Sequence, residues 1–299
     1  MHGTIDGWSF PAGLTSALLV SGLVYARGWR RARRLAPAEL HDHDRLGAAF
    51  PSPSSRRADL FILGLSALWI AVASPLGAIA HDLLSMHMLQ HVIVGAIAPP
   101  LIWLSEPVLP VLLGLPRWLA RRTHAAFANG ALGSLGRLLT HPFTAWFAAT
   151  LTIIGWHVPA AFELAQRSQS WHWIQNASFF VTGLLFWWPV VQPWPADARL
   201  PRPAVPLYLF AATLPCDALS AFLVFCDRVV YRLGGPRQFG ITALADQQTA
   251  GALMWVSITL LYVVPAIVMT VHALSPAQKR PGQHLPDEML QGWRRFRPS

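Results

Sequence analysis

The sequence predicts an all-α membrane protein: a polytopic bundle of about seven transmembrane helices, with the N-terminus outside and the C-terminus in the cytoplasm. Of the 299 residues, 54% are hydrophobic and 12% are charged, whereas soluble domains carry about 25% charged residues. The apolar residues are gathered into stretches long enough to cross a hydrocarbon core of about 30 Å. In addition, 19 of the 23 Lys and Arg residues fall in segments that are cytoplasmic in this orientation, as the positive-inside rule requires.

The apolar stretches define the predicted spans. Arginines follow the first stretch and do not precede it, which indicates an uncleaved helix and not a signal peptide. Prolines are expected to end two spans: Pro75 ends the second, and Pro99, Pro100 and Pro107 end the third. The predicted spans are 12–25, 59–74, 81–103, 142–158, 174–191, 206–225 and 249–271.

The remaining segments are predicted to lie outside the bilayer core. Residues 107–141, rich in Pro and Arg, are expected to be partly helical at the membrane surface, and residues 275–299 to form a basic cytoplasmic tail. The chain is thus predicted to be one membrane domain over residues 1–274, followed by this tail. The net charge of +9 is then explained by basic residues that fix the orientation of the spans and contact lipid headgroups. No basic patch interleaved with aromatic residues indicates binding of nucleic acid.

The most informative stretch is HDLLSMHMLQH, residues 81–91, at the mouth of the third span. Ionisable groups in a membrane span indicate a functional site. His87 and His91 are four residues apart and lie on one face of a helix, so both imidazoles can reach one metal ion. The thioethers of Met86 and Met88 favour a soft ion, above all Cu(I). Alternatively, the histidines only bond to neighbouring helices and the methionines fill the core.

In the predicted orientation, polar residues from four parts of the chain meet on the outer side of the membrane. Asp82 and Asp246 either orient an imidazole through its other ring nitrogen or cap helices, and both roles remain open. The polar residues that converge there are His81, His87, His91, Trp156, His157, His172, Cys226, Asp227, Asp246, Gln247 and Gln248. The candidate metal ligands are His81, His87, His91, His157, His172, Met86 and Met88.

The two cysteines carry little information. Cys216 and Cys226 are ten residues apart on one predicted helix, or about 15 Å along its axis, too far for a disulfide. We interpret them as buried thiols. The sequence contains no glycine-rich phosphate loop, no GxSxG or HExxH motif and no carboxylate pair spaced for acid–base hydrolysis. An enzyme is therefore not predicted.

Several motifs together resemble the CtaG family, seven-span assembly factors of bacterial caa3-type cytochrome c oxidase. They are HMLQH at 87–91, APP at 98–100, WHVP at 156–159, GLLFWWP at 183–189 and ADQQ at 245–248 with Gly251, Met254 and Trp255. The resemblance covers roughly residues 59–272. The family motifs fall on His81, His87, Met88, Gln90, His91, Trp156, His157, His172, Asp246, Gln247, Gln248 and Met254.

The resemblance implies a multi-pass protein of the bacterial inner membrane that serves a subunit of a haem–copper oxidase and handles copper on the periplasmic face. Homo-oligomerisation is left open. One departure stands out, because Gln175 and Asn176 occupy positions where we expect an acidic residue and a histidine.

Three alternatives to copper handling are kept. A haem-binding protein would use histidines of two helices, such as His91 and His157, as axial ligands, although the histidines cluster at one rim. A metal-free scaffold would hold an oxidase subunit, with structural histidines. A transporter would favour an internal repeat, and none is found.

Overall fold

The computed structural model describes residues 11–35, 54–128, 130–193, 200–233 and 239–274. Every regular element in these ranges is a helix, so the all-α prediction is confirmed for them. The predicted tail, 275–299, lies outside the described residues. The helices are α1 (Ala12–Leu35), α2 (Ser55–Ala73), α3 (Pro75–Ile79), α4 (Leu84–Val92), α5 (Ala98–Leu104), α6 (Val108–Gly114), α7 (Arg117–Ala128), α8 (Ala131–Leu139), α9 (Pro142–His157), α10 (Pro159–Arg167), α11 (Gln169–Val191), α12 (Val205–Phe225) and α13 (Ala243–Leu274).

The described helices support a multi-pass membrane protein. Four segments are long and apolar enough to span a bilayer: Leu84–Leu104, Gln169–Val191, Arg202–Phe225 and Ala243–Val271. A fifth is added if Leu132–Leu139 and Pro142–His157, bent by 70° from each other, form one span. Helices also occupy the first two predicted spans. However, Arg27 closely follows the apolar part of α1, and Arg56, Arg57 and Asp59 lie at the start of α2. Seven spans and their orientation therefore stay a prediction.

The expectation that Pro99 and Pro100 end the third span is wrong. The chain stays helical from Leu84 to Leu104, because a π-helical segment, Ile93–Ile97, joins α4 to α5. Both prolines occupy the first turn of α5, but their rings would clash with carbonyls four residues earlier in an unbroken α-helix. The wider π turn, whose last bond joins the N–H of Ala98 to the carbonyl of Ile93, makes room for them.

The segment α4–α5 lies at the centre of the bundle, between two hydrophobic cores. One core joins it to α1 and α2, through residues such as Tyr25, Phe61 and Ile102. The other joins it to α12 and α13, through residues such as Met88, Leu209 and Met254. Helix α11 contributes to both cores. The helix that carries the histidine-rich stretch is therefore enclosed by protein on most of its sides.

Helix α11 crosses the π-helical segment at close range, at Gly183. A Cβ atom at Gly183 would lie 2.3 Å from the carbonyl oxygen of Gly95 and 2.9 Å from the Cγ of Pro99. Only glycine fits at such a close crossing. The contact sets the distance of α11, which carries His172 and Phe179, from α4.

Candidate metal-binding site

A buried carboxylate fixes the start of α4. Asp246, in the first turn of α13, is 1% exposed. Its carboxylate accepts hydrogen bonds from the N–H of Leu84 (2.6 Å), the N–H of Ser85 (3.1 Å) and the hydroxyl of Ser85 (2.6 Å). The N-cap residue of α4, Leu83, has no side chain that could cap it. Asp246 therefore caps α4 across the bundle, one turn before His87.

His87 and His91 form a buried pair on one face of α4. Their Nε2 atoms are 2.9 Å apart, and their rings meet edge to face with centroids 4.3 Å apart. Such a contact needs one N–H donor and one bare nitrogen. The amide nitrogen of Gln166, in α10, lies 3.2 Å from Nδ1 of His87. The proton between the two Nε2 atoms belongs to either ring, according to the tautomer.

Two further histidines extend this pair toward the rim of the bundle. His81, exposed in the turn before α4, contacts the ring of His172 at a centroid distance of 4.6 Å. The ring of His172 in turn stacks on that of His87 at 5.7 Å. His172 is 5% exposed, and its Nε2 has no hydrogen-bond partner among the described residues. The rings of His81, His172, His87 and His91 thus make a continuous chain from the surface inward.

His157 faces a thioether on the inner side of the pair. At the end of α9, its Nδ1 lies 2.7 Å from the carbonyl of Ile153, and its Nε2 lies 3.3 Å from the Sδ of Met88. A carbonyl can only accept, so Nδ1 carries the proton and the Nε2 of the neutral ring is bare. The lone pairs of a nitrogen and a sulfur therefore face each other, an arrangement suited to a soft metal ion.

A loop between α12 and α13 supports His157. The hydroxyl of Tyr231 donates to the backbone carbonyl of His157. Burial raises the pKa of Tyr231 to about 12, so the phenol remains a neutral donor at neutral pH. Gln247 holds this loop, since its side chain accepts from the N–H of Val230 (2.7 Å) and donates to the carbonyl of Arg228 (3.0 Å). Gln247 is thus a positioning residue. Tyr231 and Gln166 gave no signal in the sequence because they belong to no motif.

Two other motif residues join helices. Gln90 donates to the carbonyl of Ala71 at 2.8 Å and ties α4 to α2. Trp156 donates to the hydroxyl of Ser178 at 2.8 Å and ties α9 to α11. Both bonds fix the helices that carry the histidines.

The remaining candidates lie outside the cluster of rings. Asp82 lies in the turn before α4, and no hydrogen bond joins it to a histidine in the described part of the chain. Met86, Gln248 and Cys226 are only partly buried. Met254 is buried in the core.

Buried polar atoms without partners concentrate near the histidines. Among the described residues they include the Nδ1 of His91, the Nε2 of His172, and the side-chain oxygens of Gln90, Gln175 and Asn176. Most buried polar groups in proteins are hydrogen-bonded. Gln175 and Asn176 therefore present unsatisfied oxygens beside His172 and supply no further imidazole.

The cluster is not a preformed metal site of the usual kind. Within the described ranges, no three His, Cys, Asp or Glu side chains are placed to hold a metal ion together. Imidazole nitrogens bound to one ion at about 2.0–2.1 Å lie roughly 3.3 Å apart in tetrahedral geometry. The 2.9 Å between the Nε2 atoms of His87 and His91 would have to widen by about 0.4 Å. The arrangement offers one imidazole pair and one imidazole that faces a thioether, ligands that suit a soft ion.

A cavity of about 60 Å³ lies on the inner side of the cluster. Met88, His91 and His157 line it, together with residues of α11, α12 and α13. Since a water molecule needs about 10–15 Å³, the cavity has room for a few waters or one ion.

Comparison with known proteins identifies relatives. The family model described as cytochrome c oxidase caa3 assembly factor (Caa3_CtaG) matches residues 23–275. Uncharacterized proteins of Mycobacterium bovis and Mycobacterium tuberculosis are each 26% identical over 281 residues, covering 88% of this chain and 39% of their own. One of Mycobacterium leprae is 25% identical over 87% of this chain and 38% of its own. The chain thus spans about two fifths of the length of these relatives. No solved structure matches it.

Proposed function

The chain belongs to the Caa3_CtaG family of cytochrome c oxidase caa3 assembly factors, and from this premise we propose that it binds copper, as Cu(I), for delivery to an oxidase subunit. The family is one of assembly factors and not of catalytic enzymes. Copper is here the cargo and not a resident cofactor. We place the protein in the bacterial inner membrane, with the copper site on the periplasmic side.

The observation that carries the proposal is the pairing of donor atoms around α4. His87 and His91 face each other through Nε2, and His157 faces the sulfur of Met88. All four side chains are buried. Neutral imidazoles and thioethers are ligands that suit Cu(I), and a monovalent ion needs less charge compensation in the membrane than a divalent one. Hydrogen bonding to neighbouring helices does not explain why the bare Nε2 of His157 is directed at a thioether.

Gln166 makes metal binding by His87 compatible with a neutral ring. When Nε2 binds a metal ion, the ring proton must reside on Nδ1. The amide of Gln166 lies 3.2 Å from this Nδ1. Because an amide has both a donor and an acceptor, a half-turn of its end group supplies an acceptor for this N–H. The same partner thus suits His87 whether or not Nδ1 carries the proton.

The ring chain from His81 to His91 gives copper a route. His81 is exposed at the rim, where a protein that donates copper or an oxidase subunit that receives it would make contact. His91, in contrast, is only 7% exposed. Exchange of ligands from ring to ring would move the ion inward or outward without releasing it to water. The haem alternative is less well supported, because the Nε2 atoms of His91 and His157 face His87 and Met88.

The test is copper content of the detergent-purified full chain after loading with Cu(I) under reducing conditions. We expect about one copper per chain in the wild type and a loss of most of it in the double variant His87→Ala/His91→Ala, because the buried nitrogens are removed. His141→Ala is the matched control, since His141 is exposed at the other end of α9, and it should retain copper.

Two results would contradict the proposal. If the wild type binds no copper above background, the protein is better explained as a metal-free scaffold for an oxidase subunit. If the double variant binds as much copper as the wild type while both melt at the same temperature, copper binds elsewhere.

A further inference from the structure

The cavity beneath the histidines is lined by sulfur as well as nitrogen. Besides His91, His157 and Met88, its walls include the thiol of Cys216 in α12 and the thioether of Met254 in α13. These side chains come from helices far apart in the sequence, yet they meet around a volume of about 60 Å³. The sequence alone indicated only an unremarkable buried thiol at Cys216.

The donors differ in depth along their helices. His87 lies three residues from the start of α4, or about 5 Å along the axis. Cys216 lies nine residues before the end of α12 and Met254 eleven residues after the start of α13, or about 14 Å and 16 Å. The neighbouring ends of these helices are held together, since Asp246 of α13 caps α4. Measured from Asp246, Met254 lies eight residues along α13, or about 12 Å. The two sulfur atoms therefore lie deeper in the bundle than His87, whereas His91, seven residues into α4, lies near their level.

A second observation indicates that the cavity receives a ligand. His91 lines it and is 7% exposed, and its Nδ1 has no hydrogen-bond partner among the described residues. His157 and Met88, which also line the cavity, face each other through atoms that both lack a proton. Polar groups left unpaired around an apolar cavity are unfavourable unless something binds them.

We propose that Cys216 and Met254 complete a deeper Cu(I) site at this cavity, which shares His91 with the histidine pair, receives its ion only through that pair, and is therefore not occupied together with it. This inference rests on the proposed handling of copper. Thiolate and thioether are the protein ligands softest toward Cu(I). Cys216 is 2% exposed and Met254 5%, so both side chains are buried inside the protein.

Charge balance favours a thiol at this depth. As the bond between copper and Sγ forms, the thiol loses its proton to water, and copper remains Cu(I) throughout. The thiolate cancels the charge of the ion, so the complex is neutral. An uncompensated charge at such a depth would be strongly unfavourable. The imidazole pair nearer the rim lacks this compensation, which explains why transfer inward would be favoured.

The experiment is X-ray absorption at the copper edge of the purified full chain, loaded anaerobically with one equivalent of Cu(I), together with competition against a chromophoric Cu(I) chelator. We expect nitrogen and sulfur neighbours in the wild type. Cys216→Ser should lose one sulfur neighbour and bind Cu(I) roughly tenfold more weakly or worse. Cys226→Ser is the matched control, because Cys226 is partly exposed at the end of α12, and it should match the wild type.

Met254→Leu is a second test variant that should fold like the wild type, because the substitution nearly conserves volume in the core. It should also remove a sulfur neighbour while leaving the melting temperature unchanged. If Cys216→Ser and Met254→Leu both keep the wild-type sulfur count and affinity, the deeper site is refuted. If the wild type binds copper through nitrogen alone, the deeper site is refuted while the proposed function stands. If the wild type binds no copper, the proposed function fails and this inference fails with it.

Discussion

Asp246→Ala should destabilise the protein by about 3 kcal/mol or more and strongly reduce its copper binding. The substitution leaves three buried donors without an acceptor, namely the N–H groups of Leu84 and Ser85 and the hydroxyl of Ser85. Each unsatisfied buried donor costs about 1–3 kcal/mol. Because these donors begin α4, the first turn would fray and the position of His87 would be lost. Thermal denaturation in detergent and copper content after loading with Cu(I) are the measurements.

Asp227→Ala is the matched control for this substitution. It also removes one carboxylate, just after the end of α12, but Asp227 is exposed, so the melting temperature should not change. Asp246→Asn separates the cap from the charge, because the amide oxygen still accepts a hydrogen bond while the favourable charge at the helix N-terminus is lost. The melting temperature of Asp246→Asn should lie between those of the wild type and Asp246→Ala. Equal melting temperatures for Asp246→Ala and Asp227→Ala would show that the carboxylate does not hold α4.

The role of Asp246 shows what the sequence could and could not predict. Its type and its place before an apolar helix suggested a cap or a partner of histidine. The helix that it caps begins 162 residues earlier, and no pattern in one sequence reports a contact over that separation. The i, i+4 spacing of His87 and His91 did predict their shared face, because that spacing depends only on helix geometry. Local geometry was therefore predictable, and partners across the bundle were not.

The same distinction applies to the fold and to the sulfur-lined cavity. Composition and apolar length predicted helices and a membrane, but Pro99 and Pro100 misled because a π-helical turn accommodates them. Cys216 sits in an apolar helix, where a thiol behaves as a small hydrophobic residue. Cys216 differs from an ordinary core residue only because it lines the same cavity as Met88 and Met254. Their meeting at this cavity depends on how α12 packs against α13 and how α13 packs against α4.

The close crossing of α11 over the π-helical segment gives the second large expected effect. Gly183→Ala would place a Cβ atom 2.3 Å from the carbonyl oxygen of Gly95. Backbone on both sides prevents a local adjustment, so α11 must move away. We expect a loss of about 1–3 kcal/mol of stability, measured as a lower melting temperature in detergent. Copper binding should also weaken, because α11 carries His172, which stacks on His87, and Phe179, which stacks on His91.

Gly155→Ala is the matched control, because it makes the same substitution in a helix where the added Cβ atom has free space. Gly155 lies in the last turn of α9, two residues before His157, and a Cβ atom there would meet nothing within 4 Å. Alanine is favoured over glycine within a helix by about 0.5–1 kcal/mol, so this variant should melt at the wild-type temperature or slightly above it. If Gly183→Ala behaves like Gly155→Ala, the two backbones do not touch at Gly95. Side chains, and not the backbone contact at Gly183, would then set the position of α11. The distance between His172 and His87 would in that case not depend on a glycine at position 183.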